Sequence, residues 1–258
     1  MSQFFVLFRK EMLELWRSYK WLWVPLVFLF LGIVQPAATY YLPQILDSVG
    51  GLPEGTIIEI PLPSAGGVLA ESLGQLGTIG LLVLVLAAMG VLIAERRSGV
   101  AAMLLVKPVA FGSYVSAKWA AYVLLTVVSV LIGQIGAWYY TTVLFGDFPL
   151  GTVLESALVF AVWMSFILTA LLLVSVFLRS AAPAAFAALI LAIVLSVLTP
   201  LFEDPMIWSP VNLSVYASAQ LAESTAHDLL IPLAATLLLM AAMLLVAIGA
   251  LRRRQLAA

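Results

Sequence analysis

All twelve Lys and Arg residues of this chain lie in alternate gaps between six long apolar runs. Arg9, Lys10, Arg17 and Lys20 precede the first run, and Arg96, Arg97, Lys107 and Lys118 separate the second from the third. Arg179 separates the fourth from the fifth, and Arg252, Arg253 and Arg254 follow the sixth. The other gaps hold acidic residues and no basic ones. One Arg or Lys at a bilayer centre costs about 2.5 to 3.5 kcal/mol even on a lenient insertion scale, so the basic gaps must lie outside the hydrocarbon. The positive-inside rule then puts them in the cytoplasm. The pattern predicts an all-α integral membrane protein of six transmembrane helices, with both termini cytoplasmic and residues 1–258 forming a single transmembrane domain.

Composition excludes the soluble alternative. The chain is 64% hydrophobic and 10% charged, against roughly 25% charged in soluble domains. With no cysteine and only His227, disulfides and thiolate or histidine metal sites are ruled out. No phosphate loop of the GxxxxGK[ST] type occurs, so the chain does not hydrolyse a nucleotide by that route. A membrane Ser/His protease lacks its base at membrane depth, and no acidic residue is expected at mid-span for a proton relay. The chain is therefore expected to be no enzyme, to need no cofactor and to bind no nucleic acid. Arg9, Lys10, Glu11, Glu14 and Arg17 interrupt the first nineteen residues, which argues against a cleavable signal peptide.

Residues 4–20 fit an amphipathic helix lying in the headgroup plane. Phe4, Phe5, Phe8, Met12, Leu15, Trp16 and Tyr19 fall in one arc at helical spacing and the charged residues occupy the rest, although Leu7 and Leu13 fall on the polar side. Spans are expected at about 21–42, 73–94, 119–145, 153–178, 182–202 and 229–251. Residues 43–72 and 203–228 are expected to form the external loops, the first with a short strand over 56–60 and the second with a short helix over 211–222. Gly74, Gly77 and Gly80 allow a close helix approach in the second span, as Ala184, Ala188 and Ala192 do in the fifth. Gln35, Pro36 and Gln134 are candidates for a translocation path. They suit helix packing equally, Pro36 as a kink and the two amides as bonds across helices.

The loop 95–118 has an apolar interior between Gly99 and Pro108. Its order runs acidic residue, basic residue, glycine, short apolar helix, basic-Pro-Val, and lysine at the start of the next span. The residues are Glu95, Arg96, Gly99, Pro108, Val109 and Lys118. This order resembles the first cytoplasmic loop of ABC-2 type permeases, the membrane subunits of ATP-driven ABC transporters. The basic amphipathic N-terminus, the six spans and the chain length are also similar to that family. Val100 departs from it by standing where Thr often follows the glycine.

The resemblance implies that 95–118 is a coupling loop docking on a separate cytoplasmic ABC ATPase, present in two copies. Met103, Leu104 and Val106 would enter a groove on that subunit, Glu95, Arg96 and Lys107 would orient it, and Gly99 and Pro108 would bound the docking helix. It also implies a second permease copy or paralogue completing the path, a bacterial plasma membrane location and, in most of the family, export. The alternative from a different class is a non-transporting scaffold or sensor subunit of a membrane complex.

Overall fold

A chain whose spans meet no water must satisfy its backbone hydrogen bonds internally, and in this computed structural model the described residues form helices and no strand. The structure describes residues 3–49, 63–93, 110–202, 204–224 and 228–256. The helices are α1 (Gln3–Arg17), α2 (Lys20–Val49), α3 (Ala65–Gln75), α4 (Leu81–Ala88), α5 (Phe111–Phe145), α6 (Leu150–Phe177), α7 (Ala181–Leu201), α8 (Val211–Leu221) and α9 (Leu230–Leu256). A π-helical turn, Leu76–Gly80, joins α3 to α4 as one span. Six helical stretches are long and apolar enough to cross a membrane: Lys20–Gln44, Ala65–Ala88, Phe111–Phe145, Leu150–Phe177, Ala181–Leu201 and Leu230–Arg253. The protein is an all-α, multi-pass membrane protein with an additional helix before the first span.

Three boundaries differ from the sequence expectation. The helix of the first span runs unbroken past Pro36 and Pro43 to Val49, and Tyr40 within it packs edge-on against Phe145. The second starts at Ala65 rather than 73, with the Ser64 side chain capping it by accepting from the Gly67 N–H at 3.1 Å. The expected external loop 43–72 therefore loses residues to helices at both ends, and its expected strand over 56–60 lies outside the described residues. Gly66 is glycine because another backbone lies on it: a Cβ there would stand 2.1 Å from the Leu221 carbonyl oxygen of α8. The third span starts at Phe111 rather than 119. Lys118 lies within this helix, its charge paired inside the protein.

The extension of α3 takes one acidic residue into the second span's helix, near its end and not at mid-span. Glu71 is an exposed residue in the second turn of α3, about 9 Å along the axis from Ala65 at 1.5 Å per residue. Its carboxylate accepts from the Gln35 amide of α2 at 3.1 Å.

α6 is the centre of the bundle, with 72% of its apolar stretch buried against 22% for the fifth and sixth spans. The two less-buried spans turn Phe186, Ile190, Ile193, Leu238 and Leu245 outward, as lipid contact permits. α2 and α5 approach so closely that a Cβ on Gly32 would stand 2.0 Å from the Gly133 carbonyl oxygen. α8 begins after Pro210, a residue that suits a helix start, and packs across α3 and α6.

Candidate functional site

α1 is the element on which the start of α5 and the first span meet. The expected aromatic arc predicts one lipid face and one polar face, but the helix buries a third surface. Leu7, Glu11 and Leu15, at four-residue spacing, are its buried positions, while Phe5, Trp16 and Tyr19 are exposed. Leu7, which spoiled the amphipathic separation, is thus a protein contact. The helix ends where Ser18 Oγ donates to the Glu14 carbonyl at 2.8 Å. Tyr19 then adopts φ +57° and turns the chain into the first span.

Glu11 is buried because Lys118 comes to meet it. The Lys118 ammonium donates to Glu11 Oε1 at 2.9 Å and to Oε2 at 2.8 Å, and stands 5.4 Å from the centroid of the Tyr114 ring, one turn earlier on α5. Lys10 also reaches Glu11 at 2.9 Å and Glu14 at 3.1 Å. One turn further along α5, the Tyr122 hydroxyl accepts from Lys20 Nζ at 2.9 Å, tying the start of α2 to the same helix. At the outer end of the cluster the Ala110 N–H donates to Gln3 Oε1 at 3.1 Å. α1 is thereby held to the start of α5 at two levels, and α2 to the same helix at a third.

An apolar cluster backs these bonds. Leu7 of α1, Leu92 at the end of the second span, Tyr114 and Val115 of α5, Val176 of α6 and Leu251 of α9 belong to one buried group. It gathers helix ends beside Arg179 and Arg252 at the basic end of the bundle. The expected coupling residues Glu95, Arg96, Gly99, Met103, Leu104, Val106, Lys107 and Pro108 lie outside the described residues. Both flanks of their segment, Leu92 and Tyr114, lie in this cluster with α1.

The other candidate residues are not brought to one place. Gly80 meets the Phe28 ring, whose Cζ would be 2.9 Å from an added Cβ, and Gly77 faces Phe160 at 3.5 Å. Gly74 has nothing within 4 Å and is no close-approach position. Ala184, Ala188 and Ala192 are all buried, on a helix that packs chiefly against α6. Gln35 is engaged with Glu71, Pro36 is buried within the continuous α2, and Gln134 is fully buried with neither amide end hydrogen-bonded among the described residues.

Sequence reasoning missed Glu11, Tyr114 and Tyr122 as parts of a site. The available signal was a carboxylate midway between Leu7 and Leu15 on the same helical face.

No family model matches this chain. It is 33% identical over 213 residues to the uncharacterized transmembrane protein YxlG of Bacillus subtilis (strain 168), a match covering 83% of each chain. With this identity over this share of both chains, the chain belongs to the same family of transmembrane proteins as YxlG.

Proposed function

We propose that this chain is the permease subunit of an ATP-driven ABC transporter of the ABC-2 type, exporting its substrate across a bacterial plasma membrane. In this reading the basic end faces the cytoplasm with both termini, two permease copies form the path, and two ATPase subunits dock on the 95–118 region. The single observation that carries the reading is the anchorage of that region. Its C-terminal flank runs directly into α5, and the Lys118–Glu11 pair fastens α5 to α1 eight residues into the helix. A push on the loop from a closing ATPase would move α5 and α1 together and, through the tight turn at Tyr19, the first span. The resemblance of Glu95, Arg96, Gly99, Pro108 and Val109 to the family's loop supplies the partner.

The test is Leu104→Asp in a variant that reaches the membrane at the parent level. Loss of ATPase copurification with loss of transport is the expected result. Retention of both overturns the docking. A scaffold or sensor subunit would instead leave the turnover of a copurifying ATPase unchanged by the presence of this chain.

A further inference from the structure

At the opposite end of the bundle from the coupling cluster, the second span, α6, α7 and α8 enclose a groove of about 220 Å³. The geometry points to a binding site for a small primary ammonium compound carrying an apolar group. This assignment requires no ATPase and stands apart from the permease reading.

The groove exists because bulk is missing where the helix widens. It is lined by the π-helical turn Leu76–Gly80, a distortion often found at functional sites. Gly74 and Gly77 contribute no side chain, and Gly74 and Thr78 are exposed, so one side of the groove is open.

Four hydroxyls line it, of Thr78, Ser196, Ser214 and Ser218, and the protons of all but the exposed Ser196 are already committed. Thr78 Oγ1 donates to the Gln75 carbonyl at 3.1 Å, Ser214 Oγ to the Val211 carbonyl at 2.8 Å, and Ser218 Oγ to the Ser214 carbonyl at 3.0 Å. A hydroxyl that donates to its own helix keeps its lone pairs, so these three oxygens offer acceptors. A ligand that engages these three must supply donors.

Charge selects among donor-bearing ligands. No lining residue is charged, and Phe160 and Trp163 form aromatic walls, which attract ammonium groups. The nearest carboxylate along α3 is exposed Glu71, three residues before Gly74 on the same helical face. It has a Gln35 hydrogen bond and no Lys or Arg partner among the described residues. The sequence places no basic residue in the gaps at this end. An anion would find three acceptor oxygens and no basic residue at this end, whereas a primary ammonium meets acceptors and aromatic rings, with Glu71 further along the same helix. The volume lies below the 300–1,000 Å³ of drug-sized pockets, so the site takes a small amine or the head of a larger amphiphile.

The test is titration calorimetry on the full chain in phosphatidylcholine nanodiscs with three probes of one shape: phenethylammonium, its N-trimethyl analogue, and 3-phenylpropanoate. Saturable binding of phenethylammonium is expected, weakened about tenfold or more in the donor-free analogue, with none for the carboxylate. Equal affinity for all three, or no saturable binding of the amine, overturns the assignment, and this comparison needs no variant. Thr78→Val and Ser218→Ala should each weaken the amine about tenfold; unchanged affinity in both also overturns it. Competition when phosphatidylethanolamine is added would assign the groove to a lipid head, and lack of competition to a free amine.

Discussion

The Lys118 ammonium reaches both carboxylate oxygens of Glu11, at 2.9 and 2.8 Å, across 107 residues of sequence, and both side chains are buried. Desolvating two charges costs several kcal/mol per ion, and attraction between them recovers that cost only with good geometry and further partners. Both are present here, through the two short bonds, Lys10 and the Tyr114 ring. The pair fixes the angular position of α1, since an amphipathic helix held by lipid alone can roll about its axis. Its value lies in register as much as in stability.

Removing one partner should therefore cost more than removing both. Glu11→Leu is expected to destabilise by about 3 to 5 kcal/mol, because the buried Lys118 charge loses its carboxylate, and Lys118→Met by less, because Lys10 still reaches Glu11; the double variant should recover most of the larger loss. A double-mutant cycle by reversible SDS titration in mixed micelles measures this. Additive losses would mean that the two residues do not act as a pair.

Backbone contact between α2 and α5 makes a second prediction. Gly32→Ala places a Cβ 2.0 Å from the Gly133 carbonyl oxygen, and overpacking costs about 1 to 3 kcal/mol, more where backbone must move. The variant should lose yield of monodisperse protein on size-exclusion chromatography. Gly249→Ala, with nothing within 4 Å of the new Cβ, should not.

The fifth span offers a comparison within one helix. Ala188 is fully buried and Ile190 is 58% exposed. Ala188→Leu is expected to cost about 1 to 3 kcal/mol, read as a lower thermal midpoint in detergent, whereas Ile190→Ala should leave the midpoint nearly unchanged. Reversal of that order would show that the alanine face is not the packed one.

Orientation is testable with single cysteines because the natural chain has none. Ser224→Cys, just beyond α8, should react with an impermeant thiol reagent in intact cells. Ser18→Cys, at the end of α1, should react only after permeabilisation. Both sites are exposed, so the opposite result would place the basic end outside.

The candidate site was only partly legible beforehand. The charged loop stood out because lipid excludes Arg and Lys wherever they occur, and its motif can be read residue by residue. Its fastening to α1 could not be read, since it needs Glu11 and Lys118 to meet. Glu71 was misplaced for a related reason: Gly66 and Gly67 are turn signals locally, and only the Leu221 carbonyl of α8 shows that Gly66 belongs in a packed helix.

The membrane class, the six spans, the alternation of basic and acidic gaps and the short helix after Pro210 follow from sequence alone. The bilayer acts on each segment separately, through the transfer cost of its own side chains and the need to satisfy its own backbone. Tertiary structure decided which face of α1 turns inward, where the second and third spans begin, which glycines are close contacts and where the hydroxyl-lined groove opens. These depend on groups far apart in the chain, Glu11 with Lys118, Gly32 with Gly133 and Gly66 with Leu221, whose contacts arise from helix packing and leave no period in the sequence.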